Sequence, residues 1–432
     1  MFYNVLGYDN RSSNPGVNVR ILFCTMQFGP GYNQGTEKYI RNLARDLSEQ
    51  GCDIVVAGGD PEEILTDRSL IDEGEFQLIK LPTFGWGTTG GDSIDNCQSL
   101  LRKLKPDLVH MVNPAHIGVN LLNAAQKLGI PYFISITDFW WLCPKHTLTL
   151  KSGEFCSGFS EQETCFRCIA ETHPNRLVKV ASQLPAARNC IAKILHLKNA
   201  QFTAQPEDKD RKQILISVLN KAKKVICLSK TSQRLIREYF SLNNSQYIPA
   251  GLSNTWFETN CSRQTNNNSF VVGFLGALAP HKGLHTLIHA LNDLGDSKIT
   301  LKVAGKTSAQ KYAKQCLNTY KNTQYFGELN EPQSKEFLDS VNVLVIPSNS
   351  PENQPQVLLE AAARKRPVLA SNIPGCAELL PPAAVFPVND VRRLRELLSV
   401  AKKDISKIGY PTLGLSSEAV SKEILTEYQK VL

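Results

Sequence analysis

The 432-residue sequence contains no run of about 20 apolar residues, the length a helix needs to cross a bilayer, so no membrane span is expected. The opening Met1-Phe-Tyr-Asn-Val-Leu-Gly-Tyr-Asp-Asn-Arg11 lacks a basic flank followed by an apolar stretch, so no secretory leader is expected either. Internal repeats and low-complexity tracts are absent, which excludes solenoids and compositional linkers. No Gly-Lys-Ser/Thr follows the glycine-rich loop near the N-terminus, which excludes a Walker phosphate loop. These absences point to a cytoplasmic chain, where thiols stay reduced; its 12 cysteines are then expected to be free or metal-bound. The sequence does contain 42% apolar and 20% charged residues, the balance of a soluble globular protein. Its length is too great for one ordinary core and implies two domains.

Net charge is +8, and residues 175–224 hold eleven Lys and Arg against three Asp and Glu. Such a run is either a solvated helical face or a surface drawn to anionic lipid headgroups, a peripheral membrane contact. No recognition motif or aromatic interleaving accompanies the charge, so nucleic acid is not expected as a partner.

Strands and helices alternate along the chain, the pattern of doubly wound parallel sheets in an α/β protein. Asn18–Cys24, Asp53–Ala57, Phe76–Lys80, Leu108–Val112 and Tyr132–Ile136 read as strands. Apolar residues at 39, 40, 43, 44 and 47 define an amphipathic helix that Gly51 ends. The polar stretch at 259–269 reads as a linker, and a second alternating series runs over 270–415. The expected organisation is a mobile arm over 1–16, a first Rossmann-like domain over 17–258 with a Cys-rich insertion at 143–173, and the linker. A second Rossmann-like domain over 270–415 and an amphipathic helix over 416–432 follow.

The most informative segment is Ser350-Pro-Glu-Asn-Gln-Pro-Gln-Val-Leu-Leu-Glu-Ala361, which follows the Val-rich strand 341–347. Pro355 suits the first position of a helix, where its missing N–H costs nothing. Glu352 then lies in the loop before the helix, and Glu360 lies roughly 8 Å along its axis. The free amides of the first turn favour an anion in the gap. A diphosphate at the amides and hydroxyls at the two carboxylates would fill this geometry, which is the shape of a sugar nucleotide.

This setting resembles the hallmark of the retaining glycosyltransferases of family 4, a Glu followed after seven residues by a second Glu. The resemblance implies the GT-B fold, two Rossmann-like domains facing a cleft, with the last helix crossing back to the first domain. It further implies that Glu352 lies against the donor sugar, that Glu360 binds the ribose hydroxyls, and that the amides near Pro355, Gln356 and Val357 hold the diphosphate. Lys365 stands where the family usually carries Gly.

Three further stretches carry parts of the resemblance. Phe28-Gly-Pro-Gly-Tyr-Asn-Gln-Gly-Thr-Glu37 resembles the family's first loop, with Gly35 carried over as a donor-binding residue and Gln34 in place of a glycine. Phe274-Leu-Gly-Ala-Leu-Ala-Pro-His-Lys-Gly283 resembles the pattern in which two cations neutralise the leaving diphosphate; Gly276, Lys282 and Gly283 match, but Ala277 replaces the arginine. Ile134-Ser-Ile-Thr-Asp-Phe-Trp-Trp-Leu-Cys-Pro144 resembles the family's aromatic variant, with Asp138 as a catalytic candidate and Thr137 where His is usual. For Phe139, Trp140 and Trp141 a core role outweighs stacking on a sugar.

Cys143, Cys156, Cys165 and Cys168 span 26 residues and end in Cys-x2-Cys, a spacing that can close a tetrahedral structural zinc site, with His146 and His173 as substitute ligands. Free cysteines are the competing reading. No cofactor is expected for catalysis. The sequence therefore reads as a retaining transferase moving a sugar from a nucleoside diphosphate to the hydroxyl of a sugar or lipid-linked acceptor, in polysaccharide, glycolipid or other glycoconjugate synthesis. The alternatives are a catalytically impaired homologue that binds sugar nucleotides in a regulatory role, to which Ala277, Thr137 and Gln34 point, and a GT-B epimerase or phosphorylase.

Overall fold

The computed structural model describes residues 19–29, 31, 32, 34–60, 71, 72, 76–83, 88, 91–150, 152–156, 158, 165, 168, 211–258, 269–412 and 414–432. The expected arm over 1–16 and most of the expected linker lie outside the described residues, as does most of the basic run at 175–224. By contacts the chain forms two compact units. The first comprises Met1–Leu228, Ser232–Ile248 and Ser417–Leu432; the second comprises Ser229–Thr231 and Pro249–Ser416.

The first unit is built on β1 (Val19–Thr25), β2 (Cys52–Asp60), β3 (Ile71–Asp72), β4 (Gln77–Pro82), β5 (Leu108–Asn113), β6 (Tyr132–Ile136), β7 (Lys224–Cys227) and β8 (Ser245–Tyr247). Its sheet runs β3-β4-β2-β1-β5-β6-β7-β8, and every pairing is parallel except that of the short edge strand β3 with β4. Ile21, Leu22, Phe23 and Cys24 are all fully buried, as expected for a central strand covered on both faces. Its helices are α1 (Gly35–Glu49), α2 (Ile94–Leu104), α3 (Asn120–Lys127), α4 (Arg211–Lys221) and α5 (Lys230–Phe240). Tyr39, Ile40, Leu43, Ala44 and Leu47 of α1 are buried, and Gly51 follows the helix at φ 87°, a left-handed conformation that ends it.

The second unit holds β9 (Phe270–Leu275), β10 (Ile299–Ala304), β11 (Thr323–Tyr325), β12 (Val343–Ile346), β13 (Val368–Ser371) and β14 (Val385–Phe386). Its sheet is parallel in the order β11-β10-β9-β12-β13-β14. Helices α6 (Leu284–Leu294), α7 (Gln310–Thr319), α8 (Glu331–Asp339), α9 (Gln356–Ala363) and α10 (Val391–Lys403) connect or flank these strands. The order reverses between β9 and β12, so the loops leaving their carboxyl ends diverge and open a crevice where α/β sheets bind ligands. Sequence reading missed β14 and α10.

The last helix, α11 (Ser417–Gln429), belongs to the first unit and packs on α1. Gln50 donates to Ser421 Oγ at 2.9 Å, and Lys224 pairs with Glu427 at 3.2 Å. Its deepest residue, Tyr428, is fully buried and its hydroxyl meets His110 Nδ1 in the central strand β5. His110 Nε2 lies 2.8 Å from Ser135 Oγ, which in turn meets the Tyr39 hydroxyl at 2.9 Å. One polar chain thus ties α11, two strands and α1 together in the core, and no described member of it is left without a partner. No described helix is long and apolar enough to cross a membrane.

Burial pushes the His110 imidazole down to about 3 from an ordinary 6.5, so it is neutral in the fold. The unfolded chain binds a proton there below about pH 6.5, and stability therefore rises with pH across the window between the two values. This contribution is complete above pH 6.5 and is lost as the pH falls. The expected outcome is a urea midpoint that drops between pH 7 and pH 5, with a shallower drop in His110→Gln. Tyr428→Phe, which leaves a buried ring nitrogen without its partner, should cost about 1–3 kcal/mol at pH 7 in the same measurement.

Candidate active site

In the second unit, Glu352 and Lys282 come from the two loops that diverge at the reversal of strand order. Lys282 ends a short 3-10 turn, Pro280–Lys282, after β9; Glu352 lies in the loop between β12 and α9. Lys282 Nζ lies 2.9 Å from Glu352 Oε1, and the same oxygen accepts from Ser348 Oγ at 2.6 Å. Both charged groups are partly buried, with side-chain exposures of 28% for Lys282 and 16% for Glu352. Burial pushes the Glu352 carboxyl up, but the Lys282 charge, the Ser348 hydroxyl and nearby His281 outweigh it, and the group sits below its ordinary value. Burial and the Lys282 charge hold His281 below the usual imidazole value, against the opposite pull of Glu352.

Close backbone packing fixes both loops. A Cβ at Gly283, where φ is 72°, would fall 1.9 Å from the Pro347 carbonyl oxygen, so only glycine lets the turn after Lys282 lie against the end of β12. A Cβ at Gly375 would meet the Asn353 and Glu352 carbonyl oxygens at 2.1 and 2.2 Å. Asn349 N donates to the His281 carbonyl at 2.9 Å, and the Gln354 side chain accepts from Ala250 N at 2.7 Å. The Glu352 carboxylate is therefore held by its backbone on several sides before any ligand arrives.

The helix that follows differs from expectation at its start. Pro355 is the N-cap, with extended φ −65° and ψ 119°, and not the first helical residue. Gln356 and Val357 open α9, so their amides are free of intrahelical partners. Glu360 lies within α9 and is 4% exposed. Gly276 directly follows β9 at φ 157°, and Ala277 stands beside it at the carboxyl edge. Glu352, Lys282, Gly276, Pro355, Gln356, Val357 and Glu360 all belong to the second unit. Sequence reading overlooked Ser348 and His281, although both lie within four residues of an expected site residue.

Asp138 and Gly35 belong to the first unit. Asp138 follows β6 and is engaged on both oxygens: Oδ1 accepts from Trp140 N at 2.8 Å, and Oδ2 meets Asn113 Nδ2 at 2.8 Å and His146 Nδ1 at 2.8 Å. Burial pushes this carboxyl up, and His146, the Trp140 amide and Asn113 together bring it below the usual value. Sequence reading offered His146 only as a substitute zinc ligand; the structure pairs it with Asp138. Thr137 bonds Thr36 at 3.1 Å, so it ties the end of β6 to the start of α1. Gly35 opens α1, and Gln34 precedes it as N-cap, its amide donating to Glu37 Oε2 at 2.9 Å. Phe139, Trp140 and Trp141 are 2%, 3% and 1% exposed, which places them in the core.

The expected zinc site finds no support among the described residues. Cys143, Cys156, Cys165 and Cys168 form no disulfide, and among the described residues no group of three or more His, Cys, Asp or Glu is arranged to hold a metal ion. Burial and the other three thiols push Cys165 up to about 11. Burial also raises Cys143, which packs against the hydrophobic core. Where the basic run is described, Lys212, Lys221 and Lys223 are exposed, while Arg211 stacks over the Trp140 ring at 4.3 Å and Lys212 lies over Tyr239 at 4.5 Å.

Residues 33–151 match the family model described as Glycosyltransferase Family 4, and residues 258–405 match that described as Glycosyl transferases group 1. No curated protein sequence matches the chain significantly. Among solved structures, sucrose-phosphate synthase from Thermosynechococcus elongatus is similar at TM-score 0.65 and 14% identity, over 96% of this chain and 99% of that one. HepE from Anabaena, in complex with UDP and glucose, is similar at TM-score 0.60 and 16% identity, over 96% and 98%. A glycosyltransferase from Rickettsia africae gives TM-score 0.59 and 14% identity, over 95% and 94%. With one family model on each of its two parallel-sheet units, the chain belongs to the family 4-type glycosyltransferases of GT-B fold.

Proposed function

We propose that this chain is a retaining glycosyltransferase that moves a sugar from a nucleoside-diphosphate sugar to an acceptor hydroxyl. The observation that carries this reading is the Lys282–Glu352 pair at the reversal of strand order, one loop away from the free amides of α9. The Gln356 and Val357 amides and the positive end of α9 bind the diphosphate. Glu360 accepts hydrogen bonds from the ribose hydroxyls, and Glu352 orients the donor sugar. In the reaction the bond between the anomeric carbon and the diphosphate oxygen breaks. A bond from the acceptor oxygen to the same carbon forms on the same face, and the acceptor proton passes to the departing phosphate. Stabilising the charge that develops on that phosphate is the main electrostatic task, and Lys282 is placed for it. A diphosphate at Lys282 also competes with Glu352 for the ammonium, which frees the carboxylate to meet the sugar.

The donor class is supported by structures of the same fold: HepE was solved in complex with UDP-glucose, and starch synthase IV of Arabidopsis thaliana bound to ADP and acarbose. Asp138 holds the turn at the end of β6 through Asn113, Trp140 and His146, which makes it a positioning residue in this reading. That carboxyl edge of the first sheet is assigned to the acceptor, and Gly35 at the start of α1 keeps its donor-binding role. A sugar or lipid-linked acceptor in glycoconjugate synthesis suits the class, and the free thiols suit a cytoplasmic setting.

Glu360→Ala should weaken nucleoside-diphosphate binding about tenfold or more by calorimetry, because charged hydrogen bonds contribute about 1.5–3 kcal/mol each; unchanged affinity removes Glu360 from the donor site. Glu352→Gln should lower kcat while keeping donor affinity within a small factor, the signature of an interaction made in the transition state. Lys282→Met removes the charge that holds the Glu352 carboxyl down and leaves burial to push it up. The acidic limb of the residual kcat/KM profile should therefore move to higher pH, and an unmoved limb would show that Glu352 ionisation does not govern turnover.

A further inference from the structure

At the carboxyl edge of the second sheet the charges balance before any donor arrives. Lys282 is neutralised by Glu352 at 2.9 Å. The start of α9 contributes only about half a positive charge. A nucleoside diphosphate brings two or more negative charges, and its departure from the sugar adds to them. The loops described so far leave this charge under-compensated.

The neighbouring strand supplies a further cation. β9 and β10 pair in parallel, with Phe274 opposite Val303 and Leu275 opposite Ala304. The hydrogen bonds continue past the last strand residues: Gly276 N donates to the Ala304 carbonyl at 2.9 Å, and Leu278 N donates to the Lys306 carbonyl at 2.9 Å. Carried on in the same register, Lys306 stands opposite Ala277. The last of these bonds places the Lys306 backbone directly beside the Ala277–Leu278 segment, just past the ends of both strands. Lys306 is exposed and, among the described residues, has no ion-pair partner. Its four-carbon stem carries a mobile point charge suited to phosphate.

The backbone that carries Lys306 is held firmly. A Cβ at Gly305 would lie 1.9 Å from the Gly276 carbonyl oxygen, so the two loops touch directly. The Tyr325 hydroxyl donates to the Gly305 carbonyl at 2.9 Å and lies 3.1 Å from Thr307 Oγ1, bracketing residue 306 on both sides. Ala309 N donates to the Leu278 carbonyl at 3.3 Å, closing the loop against the one before Lys282.

From this placement we infer that Lys306 is a second cation for the donor diphosphate, taking from the adjacent strand the role that Ala277 cannot fill. The inference rests on the donor reading given under Proposed function and adds a residue to it. It also explains how a site whose loop ends in alanine at 277 can still stabilise a leaving diphosphate.

The test is calorimetry of the full chain with UDP, ADP, GDP and dTDP, and with the matching nucleosides. Lys306→Ala should weaken the diphosphate that the wild type binds by about tenfold, with nucleoside binding unchanged and the circular dichroism spectrum intact. Adding Ala277→Arg to Lys306→Ala should restore most of the loss, since it returns a cation to the facing position. An affinity for the diphosphate within twofold of wild type in Lys306→Ala, with wild-type binding intact, overturns the inference and leaves the donor reading standing. A wild type that binds none of the four diphosphates overturns the donor reading and the inference together.

Discussion

The ion pair between Lys282 and Glu352 joins two loops that the sheet topology forces apart. Parallel strands β9 and β12 are neighbours, yet their chains leave the sheet in opposite directions, so the crevice between their carboxyl ends exists for topological reasons. Left alone, that crevice would hold two partly buried opposite charges, each costly by itself. Placing them 2.9 Å apart, with Ser348 on the same carboxylate oxygen, satisfies both. The neighbouring features serve this contact. Gly283 lets the 3-10 turn lie against Pro347, Gly375 lets the next loop lie against Glu352, and Asn349 clips one loop to the other.

The first unit solves a similar problem with neutral groups. Its central strand carries a histidine, and burial keeps that ring uncharged. The cost of a buried polar ring is met by Tyr428, Ser135 and Tyr39, so the most C-terminal helix is bonded into the centre of the sheet. Asp138 is handled differently again: it stays charged because two side chains and an amide surround it. An expected catalytic carboxylate and a histidine considered only as a substitute metal ligand thus turn out to be partners in one turn.

Much of the fold was legible from pattern alone. Val-rich runs bounded by turn residues gave the parallel strands, because strands covered on both faces must be apolar throughout. The buried face of α1 is the one its spacing indicated. The elements missed were of two kinds. β14 is two residues long, too short for any periodicity. α10 did carry a signal, with Asp390 capping Arg393 N at 2.8 Å and Leu394, Leu397, Leu398 and Ala401 on one buried face, but its many charges obscured it. The four-cysteine spacing reports only that ligands can meet, while a metal site needs its sulfurs arranged around one point, and among the described residues no group has that arrangement.

By itself the sequence determined the class of the protein: alternating strands and helices, two domains' worth of core, and the Glu352–Glu360 segment that carries the family resemblance. These are local properties, set by periodicity, turn chemistry and the residues of one continuous segment. The tertiary structure decided which side chains share an environment. It paired Lys282 with Glu352 across 70 residues of chain, His110 with Tyr428 across 318, and Asp138 with His146. It also brought the loop of Lys306 beside that of Ala277, through hydrogen bonds that continue past two parallel strands. The first two pairings depend on distances between segments far apart in the chain, and no local pattern encodes those distances.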